Sequence, residues 1–229
     1  MKTLLNLILL VLSSIAVYSQ ADYKKTYEYG EYQENWAKVK SITGEYGMID
    51  GSGKTVVPAV YKKIEKFTRD NGNLALVKSI TGEYGMINKS GTEIIPAKYS
   101  KIGTFNELGE GLALVKSIVG TYGLIDKNGD EVIPAEYSKI GKFNEIERGL
   151  ALVKSIVGTY GYVDKSGNEV IPANYSKIGR FNEIEEGLAL VKSIVGTYGF
   201  VDKKGNEIIE PTYTLKQIVS KQYKIIVEK

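Results

Sequence analysis

The 229-residue chain contains no cysteine and no histidine. Without cysteine no disulfide forms, and no thiolate is available as nucleophile or metal ligand. Without histidine there is no imidazole for a zinc site, a proton relay or a serine-type triad. Proline is scarce, at five residues, and tryptophan occurs once. Neither sign of charge dominates: Lys plus Arg is 30 and Asp plus Glu is 27, a net of +3. That balance makes no case for a nucleic-acid or anionic-membrane partner. No nucleophile elbow, phosphate loop or zinc motif occurs. What is abundant is tyrosine, 17 against five phenylalanines. Tyrosine suits half-buried strand positions, ring packed and hydroxyl in water. Apolar residues make up 43 %, enough for a real core.

The one apolar run is short. Leu4 to Leu12 is interrupted only by Asn6, preceded by Lys2 and followed by the small residues Ser13, Ser14 and Ala16. It is about half the roughly 20 residues a membrane span needs, so it reads as a cleaved signal peptide. Cleavage falls before Gln20 or before Asp22. Residues 1–19 are thus a signal segment and 20–35 a lead-in. The mature chain is expected to be extracytoplasmic, periplasmic or secreted, with no membrane span. The ending at Ser19-Gln20 resembles secretory signals common in the Bacteroidetes.

The rest of the chain is a repeat. Tyr-Gly recurs at Tyr46, Tyr84, Tyr122, Tyr160 and Tyr198, always 38 residues apart. Lys40, Gly53 and Tyr61 recur with the same step. Residues 112–149 and 150–187 differ at seven of 38 positions. Five units result: 36–73, 74–111, 112–149, 150–187 and 188–229, the last diverging after Tyr213. Constant spacing without insertions is the mark of an array, where each unit must meet its neighbours in register.

Each unit reads as strands. In the third, Leu112 to Lys116 is one strand, Ser117 to Thr121 a connection, and Tyr122 to Asp126 a second strand. Asp126-Lys127-Asn128-Gly129 is a hairpin turn, with Asn-Gly supplying positive φ. Glu131 to Ile133 is a third strand; Pro134 ends its pairing or places it at an edge. Tyr137 to Phe143 forms a fourth strand, and Asn144 to Gly149 is a polar link or a single helical turn. No stretch carries helical apolar spacing long enough for a mature helix. The expected fold is all-β: five 38-residue repeats of short antiparallel strands stacked as an open, twisted β-solenoid-like array. The alternative is a five-bladed β-propeller. A propeller would pair a terminal strand such as Lys224–Val227 with Trp36–Lys40.

The units resemble the WG (KWG) repeat proteins of bacteria. The resemblance rests on Tyr122-Gly123-Leu124-Ile125-Asp126, Gly129, Val132-Ile133-Pro134, Tyr137, Phe143 and Gly149-Leu150-Ala151. It covers roughly 36–213, with Tyr in place of the motif Trp in all five units and a longer, more apolar loop before it. The resemblance implies a fold class and a binding-type role, and no reaction.

Four features are candidates for function. The Asp126 turn has oxygen-bearing side chains at alternate positions, as a calcium loop would, but its Gly is fourth rather than sixth and most other units lose a ligand; a hairpin turn explains it without metal. The tyrosines Tyr84, Tyr122, Tyr160 and Tyr198 are candidate binding residues that could stack on sugars or grip a partner, or fill the seam between units. The lysine row from Lys40 to Lys192 could line a polyanion groove or, with Asp126, Glu131, Glu145 and Glu147 close in sequence, be a solvated edge. The loop Ser-Ile-Val-Gly at Ile118-Val119, Ile156-Val157 and Ile194-Val195 is expected to fold over a neighbouring unit; otherwise it forms an exposed apolar stripe for a partner.

The units are close to uniform, whereas catalysis needs a unique site. The expected function is therefore non-catalytic binding of a protein or cell-envelope glycan through a repeated surface, without metal, cofactor or nucleic acid. The competing expectation is a structural spacer. Exposed Tyr, Ile and Val on one face would favour binding, and a uniformly charged surface would favour the spacer.

Overall fold

The structure is a computed structural model and describes residues 23–221. The signal segment and the proposed closing strand Lys224–Val227 lie outside the described residues. Strands β1 (Lys25–Tyr29), β2 (Trp36–Lys40), β3 (Tyr46–Asp50) and β4 (Thr55–Ile64) pair in order. The long β4 runs on into β5 (Ala75–Ser79), β6 (Tyr84–Ile87) and β7 (Glu93–Tyr99). Three separate four-stranded sheets follow. They are β8 (Lys101–Phe105) to β11 (Glu131–Tyr137) through β9 (Leu112–Lys116) and β10 (Tyr122–Asp126); β12 (Lys139–Ile140) to β15 (Glu169–Tyr175) through β13 (Leu150–Lys154) and β14 (Tyr160–Asp164); and β16 (Lys177–Phe181) to β19 (Glu207–Tyr213) through β17 (Leu188–Lys192) and β18 (Tyr198–Asp202). All pairings are antiparallel, and the sheets form an open series.

The sheets straddle the sequence repeats. The fourth strand of each unit pairs with the first strand of the next, as in Lys101↔Lys116 and Ile102↔Val115. The lead-in performs the same task for unit one: Lys25↔Lys40, Thr26↔Val39 and Tyr29↔Ala37 copy that register. The edge of Trp36–Lys40 that a ring would have to close is thus held by β1. Repetition does not announce this strand, because Tyr29-Gly30 stands 17 residues before Tyr46, off the 38-residue step; Lys25 and Tyr29 stand where Lys101 and Phe105 do.

Packing follows from alternation along each strand. One face of each sheet offers small residues and the other a large one. In the seam between the second and third sheets, Leu124, Ile133 and Tyr137 meet Ala151, Val153 and Val163. Met48, Met86 and Tyr162 take the place of Leu124 in the other seams. Among the described residues no further sheet follows the last one. Phe200 and Ile209 pack instead on Ile218 of α1 (Leu215–Val219), which is fully buried. That helix is opened by a capping box, Thr214 with Gln217, a two-residue signal that apolar spacing over five residues does not reveal.

The third strand does not end at Pro134. It runs to Tyr137, with Tyr122↔Tyr137 and Leu124↔Ile133 leaving two residues unpaired in a bulge. Pro134 sits in that bulge on the outer strand of its sheet, where no ladder N–H is required. The fourth strand accordingly starts at Lys139 rather than Tyr137. The link 144–149 is not helical: Asn144 (φ 64°) and Gly149 (φ 83°) turn the chain, and Asn144 Oδ1 accepts from Gly149 N at 2.7 Å.

Tyr162 is the one buried side chain among the described residues whose polar atom, its hydroxyl, has no hydrogen-bond partner. Burial, the largest cause, pushes its pKa up to about 12. Since Phe200 fills the equivalent place in the next unit, Tyr162→Phe is expected to stabilise the protein by about 1 kcal/mol, read as a higher urea midpoint at unchanged slope.

Candidate functional site

The connection between the first two strands of each unit and the junction between its third and fourth strands lie at the same end of the sheet. Strand β9 runs into the loop 117–121 and β10 leaves it, while Ser138, after β11, donates from Oγ to the carbonyls of Lys154 (3.1 Å) and Ser155 (2.7 Å), the start of the next loop. Ser100 and Ser176 repeat the stitch. The same relation between successive units places all five loops at one end of the array.

Each loop is closed on itself. Ser117 N donates to Thr121 O at 2.8 Å, Gly120 N to Ser117 O at 3.1 Å, and the two hydroxyls are 2.7 Å apart. Thr121 Oγ1 also donates to Ala135 O. With Ser117, Gly120 and Thr121 so engaged, the loop turns its aliphatic tips outward. Ile118 and Val119 are 70 % and 81 % exposed, and Ile156, Val157, Ile194 and Val195 match them. The expectation that these loops fold over a neighbour is corrected here: a five-residue loop satisfied by its own hydroxyls has no reach across a seam already filled by Tyr and Ile. In the first two units Glu45 and Glu83 replace that Thr, and Ser41, Thr43, Ser79 and Thr81 hydrogen-bond their carboxylates, holding both acids below the usual carboxylate range.

Tyr84, Tyr122, Tyr160 and Tyr198 stand at the base of these loops, each half-buried. Their rings touch the seam clusters on one side, as Tyr84 and Tyr122 do. On the other side a lysine ammonium lies over each ring: Lys78 at 4.8 Å, Lys116 and Lys154 at 5.3 Å, Lys192 at 5.5 Å from the centroid. These are cation–π distances. A shallow depression beside Tyr160 is lined by Lys139, Gly141, Glu145, Ile146, Leu152 and Lys154.

The second tyrosine row is structural. Tyr99, Tyr137 and Tyr175 are buried in the seams, and each donates its hydroxyl to a glutamate of the following unit: Glu131 at 2.7 Å, Glu169 at 2.8 Å and Glu207 at 2.5 Å. Burial, and then the carboxylate beside it, raises all three phenol pKa values. A phenol harder to ionise when folded stabilises the protein fully below the ordinary tyrosine range and ceases to do so as pH rises beyond it. Stability is therefore expected to fall from about pH 10 upward, and Tyr137→Phe is expected to make that fall shallower in urea titrations across the range.

The Asp turns use their oxygens internally. Asp126 Oδ1 accepts from Asn128 N at 2.8 Å and Asp130 N at 2.9 Å, and only Gly129 (φ 89°) takes the positive φ expected of the pair. Among the described residues no cluster of three or more metal-ligating side chains occurs. Of the acids close to the lysine row in sequence, Asp126 is carried away from it: it pairs with Leu112 while Tyr122 pairs with Lys116, so Asp126 and Lys116 sit at opposite ends of the strands. Glu145 stays beside the row, in the depression with Lys139 and Lys154.

A Tyr-Gly pair, an Asp-capped Gly turn and a seam tyrosine thus recur at a fixed step in the same structural places. The family profile described as a WG containing repeat matches residues 46–79, 84–117, 122–155, 160–193 and 198–215. The chain belongs to this WG repeat family. Each match after the first strand pair begins at Tyr-Gly, so the family's unit runs from one such pair to just before the next. No curated protein sequence matches the chain. Among solved structures, BamB from Moraxella catarrhalis is 14 % identical, with 82 % of this chain and 60 % of that one covered and a TM-score of 0.29. The computationally designed Ika8 protein is 12 % identical over 77 % and 58 %, TM-score 0.29. PorZ of Porphyromonas gingivalis, described as a surface component of the type-IX secretion system, is 8 % identical over 84 % and 28 %, TM-score 0.30. The WG repeat chain spans less than two thirds of each of these chains.

Proposed function

We propose that this WG repeat protein is an exported, non-catalytic binding protein that holds a protein or cell-envelope partner through the loop end of its array. The observation that carries the reading is the exposed Ile-Val pair standing over a Tyr–Lys pair and repeated at constant spacing. A spacer has no use for aliphatic side chains held in water. Near-identical contacts at a fixed step add along an extended partner, so weak single contacts suffice. Export rests on the apolar run at Leu4–Leu12. Intact mass of the protein from its native host is expected to show a chain beginning at Gln20 or Asp22, and retention of Met1 would refute export.

The binding test keeps the chain whole. Capture from an envelope extract is compared for variants carrying Ile-Val→Ser-Ser in one, two or three of the loops 118–119, 156–157 and 194–195. A graded loss is expected. Complete loss from one loop, with folding intact, would overturn the additive surface and point to a unique site of the kind catalysis needs. Equal capture by all variants would remove the loop end as the binding surface.

A further inference from the structure

The near-neutral composition hides a separation of charge along the strands. From the last strand of unit two to unit five, the strand ends beside the loops carry Lys101, Lys116, Lys139, Lys154, Lys177 and Lys192, with Glu136 and Glu145 among the few carboxylates near them. These lysines stand directly opposite one another across the strands: Lys101↔Lys116, Lys139↔Lys154 and Lys177↔Lys192. Like charges in directly opposed positions destabilise a sheet. Yet the pairing recurs unit after unit, and the ion pairs found among the described residues engage none of the six. The far end of the same sheets holds most of the carboxylates, in unit four for example Asp164, Glu169 and Glu185.

We infer that the loop end docks on an anionic phospholipid surface, with the Ile-Val tips entering the headgroup boundary and the opposed lysine pairs meeting the phosphates. The inference rests on the binding reading above and names its partner. Three features select a lipid surface over a folded protein. The apolar groups are paired tips on tight turns, a convex shape that inserts rather than receives. Each loop is pinned shut by bonds of its own, in unit three from Ser117 N to Thr121 O, from Gly120 N to Ser117 O and from Thr121 N to Ser117 Oγ, so shallow entry need not open it. The lysines lie beside the tips on the same end, the combination by which peripheral proteins add electrostatic attraction to shallow apolar burial. The loops of units one and two carry Glu45 and Glu83, so contact centres on units three to five. The acidic far end orients the molecule with its loops toward the negative surface.

The test is vesicle flotation of the purified full-length protein. With equimolar phosphatidylglycerol and phosphatidylcholine at low salt, the protein is expected to float with the vesicles. Binding should be at least about tenfold weaker to pure phosphatidylcholine, and should fall with added salt. One variant changes the six residues Ile118, Val119, Ile156, Val157, Ile194 and Val195 to Ser. A second carries Lys101→Gln, Lys139→Gln and Lys177→Gln, all at exposed positions. Each should lose at least about tenfold in partition with an unchanged urea midpoint. Absence of flotation by the unaltered protein, or equal flotation by both variants, overturns the lipid assignment. Loop-dependent capture of a detergent-solubilised envelope protein without vesicle binding would overturn it too, while leaving the binding reading in place.

Discussion

Gly123→Ala is expected to destabilise the protein by about 3 kcal/mol, near the upper end of ordinary point substitutions, and Gly123→Val by more. The bulge around Pro134 arches over this glycine. A Cβ there would lie 2.5 Å from Ile133 O, 2.7 Å from Ala135 N and 2.8 Å from Ala135 Cα. All three are backbone atoms of the adjacent strand, so no rotamer change relieves the contact. The strand pair must separate, and with it the partnership of Tyr122 with Tyr137. The same clash awaits at Gly47, Gly85, Gly161 and Gly199. Urea denaturation of Gly123→Ala measures the effect, and a midpoint equal to that of the unaltered protein would show that the bulge yields freely.

The companion expectation concerns the seams. Gly167, with φ 86°, ends the Asp164 turn, and a Cβ on it would overlap the carbonyl oxygen of Val132 in the preceding unit. Gly167→Ala is expected to cost about 3 kcal/mol or more, combining left-handed strain with a backbone overlap between units. Because the overlap falls between two units, unfolding should also lose its single-step character, with residues 23–137 and the following sheets melting apart. Gly187→Ala is the control. It has a similar φ, 77°, with nothing within 4 Å of the added carbon, so it should cost about 1 kcal/mol and leave the transition single. Equal effects from the two substitutions would place the cost in backbone strain alone.

The repeat, the strand order within a unit and the family were all legible from spacing, since Tyr-Gly, the Asp-to-Gly turn and the Pro-containing strand each follow from local chemistry. The division of the tyrosines was not. Tyr122 and Tyr137 are the same residue type on facing strands, and only the stacking of units decides that one donates to Glu169 while the other shares its face with Lys116. The polarity of the array was also hidden. Asp126 and Lys116 are ten positions apart in sequence, but the hairpin carries them to opposite ends, about 13 Å of strand apart. Composition sums charges that the fold separates. The exposed Ile-Val tips escaped for a related reason: an apolar pair is ordinarily buried, and the hydroxyl pair Ser117 and Thr121 that pins the loop shut is recognisable only once the loop's ends are known to meet.

Because every sheet borrows its first strand from the unit before, the stretch that gene duplication copies is not the stretch that packs as a sheet. Excision of residues 112–149 would join Gly111 to Leu150 and hand β8 directly to β13, a strand whose residues repeat those of β9 letter for letter. Insertion of another copy would work the same way. Whole copies can therefore be gained or lost without redesign of β1, which pairs with the first strand of unit one, or of α1, which packs on the last sheet. Units three and four differ at only seven of 38 positions, so a copy gained or lost there would change the number of basic, aliphatic-tipped loops and little else.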